Sequence, residues 1–340
     1  MNWMIKGMER GWWPDTWIRF GIRRLLNRRR KTITAPDTAD EEAQFIESLR
    51  TGPVAVHTRA ANEQHYELPA RFFESVLGPH LKYSSAYWPS TIADLRAAEE
   101  RMLALTCERA GIRANMEVLE LGCGWGSLTL WMAEQFPGIR VTAVSNSHSQ
   151  RAFITDRAKQ KQLSNITVIT ADMNDFSTTE TFDRVVSVEM FEHMRNYALL
   201  LERIASWLKP DGKLFLHIFC HRDHVYPFQT QQTYDWMGRY FFTGGLMPSE
   251  TLLQRFNQHL HVENQWRVNG EHYARTLRAW LDNMDRHRVE LRPLFHSVYG
   301  EQDGDRWFER WRVFFMACEE LFAFRRGEEW FVTHLLMAKI

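Results

Sequence analysis

The sequence has 340 residues, 44% hydrophobic and 25% charged, which excludes a disordered chain and allows one large domain or a core with an added cap. Its 42 lysines and arginines balance 42 aspartates and glutamates, so nothing points to a nucleic-acid binder driven by phosphate neutralisation. Cys107, Cys123, Cys220 and Cys318 form no C-x-x-C pair, which suits a reducing compartment, and no apolar run is long enough to span a bilayer. The first 30 residues do not read as a signal peptide, and a cytoplasmic location is the expectation.

Residues 1–35 predict one or two amphipathic helices, with Trp12, Trp13, Trp17, Phe20, Ile22, Leu25 and Leu26 as apolar positions before Arg28-Arg29-Arg30-Lys31. Such a helix could lie on an anionic membrane, but a docking helix whose last cations suit its dipole is preferred, given the zero net charge. Thr34 to Asp40 reads as a linker. Helical patterns follow at Glu41–Arg50, at about Pro69–Leu77 and from about Ile92 to Ala110, with an aromatic, hydroxyl-rich segment, Leu81 to Pro89, between the last two.

From Glu117 the rhythm becomes strand–helix–strand. Strands are predicted at 117–121, Arg140–Ser145, Ile166–Thr170, Phe182–Val188 and Lys213–Phe219, with helices at about 126–135, Ser149–Lys161 and 197–207 between them. This alternation implies an α/β fold, a doubly wound parallel sheet with helices on both faces. Residues 222–260 break the rhythm and read as an insertion over the carboxyl ends of the fourth and fifth strands, where open α/β sheets bind ligands. A strand at His261–Val268, helices at about 275–296 and 304–324 and a last strand at Trp330–Met337 complete the pattern. The expected division is a helical cap and lid over 1–112 and a core over 113–340.

Glycines 122, 124 and 126 follow the first strand and precede a helix, so the backbone can approach a ligand beside a helix N-terminus. The second strand ends in Ser145-Asn146-Ser147-His148-Ser149-Gln150, offering hydroxyl and amide groups instead of the acid that a dinucleotide site places on a ribose. Asp172, past the third strand, can accept from an adenine amine, or serve only as a turn residue. Together these outline an adenosine site and weaken a nicotinamide reading. Glu189, Glu192 and His193 then fall within five residues at the end of the fourth strand, a grouping suited to proton removal or, equally, to capping and ion pairing. His217, Cys220, His221 and His224 have metal-like spacing, but strand alternation separates His217 from the rest and no metal is expected.

The segments ELGCGWGSL, VTAVSNSHSQ, SVEMFEHM, LFLHIFCH, WRVNGEHYARTL and GEEWFVTHLLM resemble the S-adenosylmethionine-dependent methyltransferases of the cyclopropane-fatty-acid synthase superfamily, and within it the coclaurine N-methyltransferase-like branch. The resemblance implies a seven-stranded, Rossmann-like class I sheet with its last strand antiparallel and a helical amino-terminal lid. It also implies S-adenosyl-L-methionine contacts from Tyr83, Ser84, Glu120, Gly122, Gly124, Ser145, Asn146, Gln150, Asp172, Met173 and Val188. Cyclopropane synthases have a cysteine in a Y-S-C-A-Y segment that, with Glu, His and Tyr, holds a bicarbonate base. Here that cysteine position is Ser85, while Glu192, His217 and Tyr273 match the others. Those synthases also carry glycine where this chain has Glu189, whereas the N-methyltransferases have glutamate there.

A second carboxylate in a desolvated pocket favours a cationic amine over a lipid tail. The expected reaction is methyl transfer to a small amine held in an aromatic cage of Tyr240, Phe241, Phe315, Phe322 and Trp330, with His193 as base, oriented by Glu189 or Glu192. Methylene transfer to unsaturated phospholipid is the alternative. A cofactor-binding module without catalysis is a further one, disfavoured by the intact E-x-x-E-H cluster. Oligomeric state, monomer or homodimer, is open at this point.

Overall fold

The structure, a computed structural model, describes residues 2–35, 38–56, 68–232 and 235–340. Pro36 and Asp37 of the expected linker lie outside the described residues. Seven strands form one sheet: β1 (Glu117–Leu121), β2 (Arg140–Ser145), β3 (Ile166–Thr170), β4 (Phe182–Val188), β5 (Leu208–His221), β8 (Leu260–Val268) and β9 (Trp330–Lys339), in the order β3-β2-β1-β4-β5-β9-β8. Strands β1 to β5 run parallel, and β9 enters antiparallel between β5 and β8. This is the class I methyltransferase sheet that the resemblance implied. β6 (Tyr226–Pro227) and β7 (Leu246–Met247) form a separate two-stranded antiparallel pair, with α9 (Trp236–Tyr240) between them in sequence.

Strand alternation assigns the layers. Val118, Val186 and Phe215 point to one face, against Leu103 and Cys107 of α5 (Leu95–Ala110) and Met132 of α6 (Ser127–Gln135). Leu119, Val185, Leu214 and Leu216 point to the other, against Leu200 and Ile204 of α8 (Tyr197–Trp207). α7 (His148–Gln160) starts at Ser147, whose hydroxyl caps the Gln150 amide. A third apolar cluster joins α4 (Ala70–Val76), α10 (Gly270–Arg286), α11 (Arg288–Tyr299) and α12 (Gly304–Ala323) and covers the carboxyl end of the sheet.

Two predicted elements differ in extent. The single helix expected over 275–296 is two, α10 and α11, meeting at His287. Pro293 lies inside α11, which continues through it, and the break falls six residues earlier at His287, whose ring closes on the Asn283 carbonyl at 3.0 Å. β5 begins at Leu208, not Lys213, pairing Phe182 with Leu208 before an irregularity opposite Asp183.

The amino-terminal helices α1 (Asn2–Met8) and α2 (Asp15–Ile33) dock through charge more than through aromatic packing. Arg19 donates to Glu319 and Glu320, Arg23 to Glu320, Arg30 to Glu329, and Arg312 of α12 reaches back to Asp15. Trp3, Trp12, Trp17 and Phe20 remain about two-thirds exposed (64–68%). α3 (Ala39–Ser48) and the stretch to Val56 cross to the carboxyl end of the sheet, where Ala55 bridges Met194. No helix among the described residues is long and apolar enough to cross a membrane.

Candidate active site

The carboxyl ends of β1, β2, β3 and β4 open into one cavity. Tyr83, Ser84, Glu120, Gly122, Gly124, Ser145, Asn146, Gln150, Asp172, Met173 and Val188 all line it, with Glu189 and His193. The glycine turn is built for close approach. Gly122 has φ +79°, and a Cβ there would come within 2.9 Å of Met190. Gly124, φ +52°, faces open space, so its backbone is the wall. Gly126 caps α6, and Ser127 at the helix start turns toward the cavity.

At the end of β2 the Ser145 hydroxyl donates to Gln150 Oε1 at 2.6 Å. That bond spends the amide oxygen and leaves Gln150 Nε2 buried without a partner among the described residues, as are Ser127 Oγ and Trp125 Nε1. Asp172 Oδ1 accepts from the Asn174 amide at 2.8 Å, so this residue holds the turn and lines the cavity at once. Orphaned buried donors, an open glycine wall and a cluster of carboxylates suit a ligand with ribose hydroxyls, an adenine edge and cationic centres. S-adenosyl-L-methionine has all three.

Two buried charges line the cavity: Lys82, which escaped the sequence reading, and Glu120, which was among the expected cofactor contacts. Lys82 donates to Ser84 Oγ and the Ser85 carbonyl, and burial pulls its ammonium down to about 8 against the pull of Glu189, Glu99 and Glu120. Glu120, buried and bonded by the Thr129 hydroxyl, is pushed up to about 7 by desolvation. A lysine set in the apolar and hydroxyl run LKYSSAYW, with no acid nearby in sequence, was the available signal for the first.

Glu189 is the centre of the acceptor end. It follows β4, its N–H donates to the His217 carbonyl at 2.8 Å, and its φ is +49°, a left-handed conformation that a non-glycine residue rarely adopts. The carboxylate accepts three hydrogen bonds: Oε1 from the Ser85 amide at 3.0 Å and His217 Nε2 at 3.1 Å, Oε2 from the Tyr273 hydroxyl at 2.6 Å. Burial raises its pKa, and Lys82, the Tyr273 hydroxyl and the Ser85 amide oppose that shift. The His193 ring lies parallel to Phe242 at 6.0 Å and is held down at about 4 by burial, so it is a neutral imidazole at neutral pH.

Glu192 does not join them. Its Oε1 accepts from the Phe219 amide at 2.7 Å, it is fully buried, and burial together with the Glu189 charge raises its pKa well above the carboxylate range. The cause is the 3₁₀ turn Phe191–His193, in which successive side chains diverge by a third of a turn. His193 therefore faces the cavity and Glu192 faces β5.

The expected aromatic cage is corrected as well, since none of its five members lines the cavity. Phe241 stacks on Phe314 at 4.3 Å, Phe315 packs on Trp280 and Trp311, and Tyr240 lies under Arg310. Trp330 donates to the Tyr226 hydroxyl, and Phe322 stacks on Tyr273 at 4.4 Å. These rings sit on the buried stripe of α12 and its neighbours, and mutual packing claims them. His217 and Tyr273, also placed in the substrate pocket, instead hold Glu189 from behind. Among the described residues no group of three or more His, Cys, Asp or Glu could hold a metal ion.

Known proteins resemble this chain over most of its length. The model of the mycolic acid cyclopropane synthetase family matches residues 55–330. The (S)-coclaurine N-methyltransferase of Thalictrum flavum subsp. glaucum is 36% identical over 343 residues, covering 99% of this chain and 95% of the relative. The cyclopropane-fatty-acyl-phospholipid synthase of Escherichia coli strain K12 is 29% identical over 80% of this chain and 66% of its own length. A crystal structure of coclaurine N-methyltransferase bound to N-methylheliamine and SAH superposes with a TM-score of 0.94 at 36% identity, covering 99% of both chains. A cyclopropane synthase from Mycobacterium tuberculosis gives 0.69 at 24% identity, covering 84% of this chain and 99% of that one, a likeness of fold. With the cavity, its glycine turn and its carboxylates accounted for, the chain belongs to the mycolic acid cyclopropane synthetase family and is an S-adenosyl-L-methionine-dependent methyltransferase.

Proposed function

We propose that the chain methylates the nitrogen of a small amine, aromatic or alkaloid-like in character. One observation carries the reading. Glu189 places its carboxylate among the Ser85 amide, His217 and Tyr273, at positions matching those with which cyclopropane synthases hold bicarbonate. A built-in anion there leaves no room for a borrowed one, and its charge attracts a cation where a lipid chain would be repelled by the desolvation cost.

The residues divide the work. Glu120, Gly122, Gly124, Asn146, Gln150 and Asp172, with Tyr83, Ser84, Ser145, Met173 and Val188, hold the cofactor, which when bound supplies an electrophilic methyl on a sulfonium. Glu189 draws the ammonium in and orients it, while the burial that depresses His193 also lowers the pKa of the ammonium. His193 Nδ1 or Nε2 takes the proton, and the freed lone pair points along the line of transfer, with alignment contributing much of the rate. Met190, His193, Met194 and Thr243 border the space left for the acceptor. Of residues 1–112, the stretch before α5 acts as cap and lid, since α5 itself packs on the sheet.

The coclaurine and pavine N-methyltransferases among the relatives, named for alkaloid amines, support the acceptor class. The test is a panel of primary, secondary and tertiary amines incubated with labelled cofactor, with product masses measured. Amines gaining one methyl are expected. Cyclopropane fatty acids in lipid extracts of expressing cells, with no amine methylated, would overturn the reading.

A further inference from the structure

Glu189 has an unbroken chain of hydrogen bonds behind it. His217 of β5 and His334 of β9 are directly opposite one another in the antiparallel register, and both are fully buried. His217 Nε2 meets Glu189 Oε1 at 3.1 Å, His217 Nδ1 meets His334 Nε2 at 2.9 Å, and His334 Nδ1 meets Arg109 Nη1 at 2.8 Å. Arg109 comes from α5, and its guanidinium also lies over the Trp266 ring at 5.2 Å.

The chemistry of the far end fixes the polarity of the whole chain. A guanidinium only donates. His334 Nδ1 must therefore accept, which puts its proton on Nε2. His217 Nδ1 must accept that proton's hydrogen bond, which puts its own proton on Nε2, aimed at Glu189. Burial and the nearby Lys82 and Arg109 charges keep both imidazoles neutral. Each bond polarises the next in the same sense, toward the carboxylate. The chain ends on a group that neither yields nor accepts a proton, so it is an orienting device and cannot drain protons from the site.

We infer that Arg109, His334 and His217 act as a relay of positioning residues that holds Glu189 as a fixed anion for the amine. The inference rests on the amine reading above, and extends it to residues remote from the cavity. It also gives a role to two histidines and an arginine set in an apolar layer, where a polar network is tolerated only if each member is satisfied.

The test has a part that needs no substrate. Histidine-labelled protein with SAH bound is examined by nitrogen-15 NMR from pH 6 to 9, and both rings should be neutral with the proton on Nε2. A proton on Nδ1 of either ring overturns the relay, whether or not amines are methylated. If the rings behave as described and no amine turns over, the function is wrong and the relay stands. In the variant arm, His334→Leu should lower kcat about 10- to 100-fold, the scale of one charged hydrogen bond lost in the transition state. SAH affinity should stay unchanged, and the acid limb of the pH–rate profile should move. His334→Gln, whose amide can accept from Arg109 and donate to His217, should recover most of the rate. Should His334→Leu fail to fold, Arg109→Met, at the partly exposed end, takes its place with the same expectation. Wild-type kcat and pH profile in either folded variant refutes the relay.

Discussion

Replacing Glu189 by glycine should abolish methyl transfer yet leave a stable protein that a small carboxylate can reactivate. Three donors, from Ser85, His217 and Tyr273, converge on the side chain that is removed. Left dry, each would cost about 1–3 kcal/mol, but the space opens to the cavity, where water or an anion can take their place. On the other side, the backbone at φ +49° is strained by about 1–2 kcal/mol for any residue with a Cβ, and glycine releases it. The buried carboxylate's desolvation also disappears. Glu189→Gly is therefore expected within about 1 kcal/mol of the parent, and more stable than Glu189→Ala by about 1 kcal/mol. Turnover should fall by roughly 10²–10³-fold, the usual cost of losing a preorganised charged group that orients and stabilises the reacting centre. Formate, acetate or bicarbonate, at concentrations on the order of tens of millimolar, should restore part of it, since a weakly held small anion binds in the millimolar range. The assay is amine methylation against anion concentration in the Gly, Ala and Gln variants, with thermal unfolding in parallel. No rescue in a folded, SAH-binding Gly variant refutes the anion-site argument, and an Ala variant as stable as Gly refutes the strain argument.

Other outcomes follow from the same geometry. His193→Ala should lose turnover while binding SAH by calorimetry as the parent does; parent-rate methylation would remove His193 as the base. Gly122→Ala forces a Cβ to 2.9 Å from Met190 at φ +79°, and SAH affinity should drop about tenfold or more by the same calorimetry. His193, His221 and His272 are each lowered to about 4 by burial, so the unfolded chain takes protons below about 6.5 that the folded chain refuses. Stability should accordingly fall as the pH drops from about 6.5 to 4, and a flat melting temperature across that window would contradict the buried neutral histidines. Arg312→Leu removes a buried cation shared by Asp15, Asp285 and Glu309, and should cost about 1–3 kcal/mol in chemical denaturation, since Asp15 and Asp285 are open enough to be solvated.

The sheet and the cofactor end were readable because both depend on local pattern. Strand–helix alternation sets the order of β1 to β5, and residues just past a strand's carboxyl end have one place to go. Hence Gly122, Asn146, Asp172 and Glu189 share a cavity. Glu192 and His193 were not separable by spacing, because adjacent side chains diverge in any helical turn and the sequence does not say which of the two the turn after β4 aims at the cavity. The aromatic cage failed for another reason. Phe241, Phe315 and Trp330 carry no local mark distinguishing a ring that packs on rings from one that faces a ligand, and α12 assigns them to the core. His334, lone in the apolar run WFVTHLLM, hinted at a buried polar contact, but its partner depends on the β5–β9 register, which joins residues 117 apart.

The position of β9 has a consequence for the birth of the protein. This strand lies inside the sheet, between β5 and β8, yet it is synthesised after every other strand of that sheet. A nascent chain that has already folded β1 to β5 must wait with the flank of β5 open, a row of unpaired amides and carbonyls alongside Phe215, Ile218 and Phe219. During that interval β5 can pair with another copy as readily as with β9. Slow translation through residues 222–330, or an impaired β9, should therefore show up first as aggregation on the ribosome, before any loss of activity in the finished molecule.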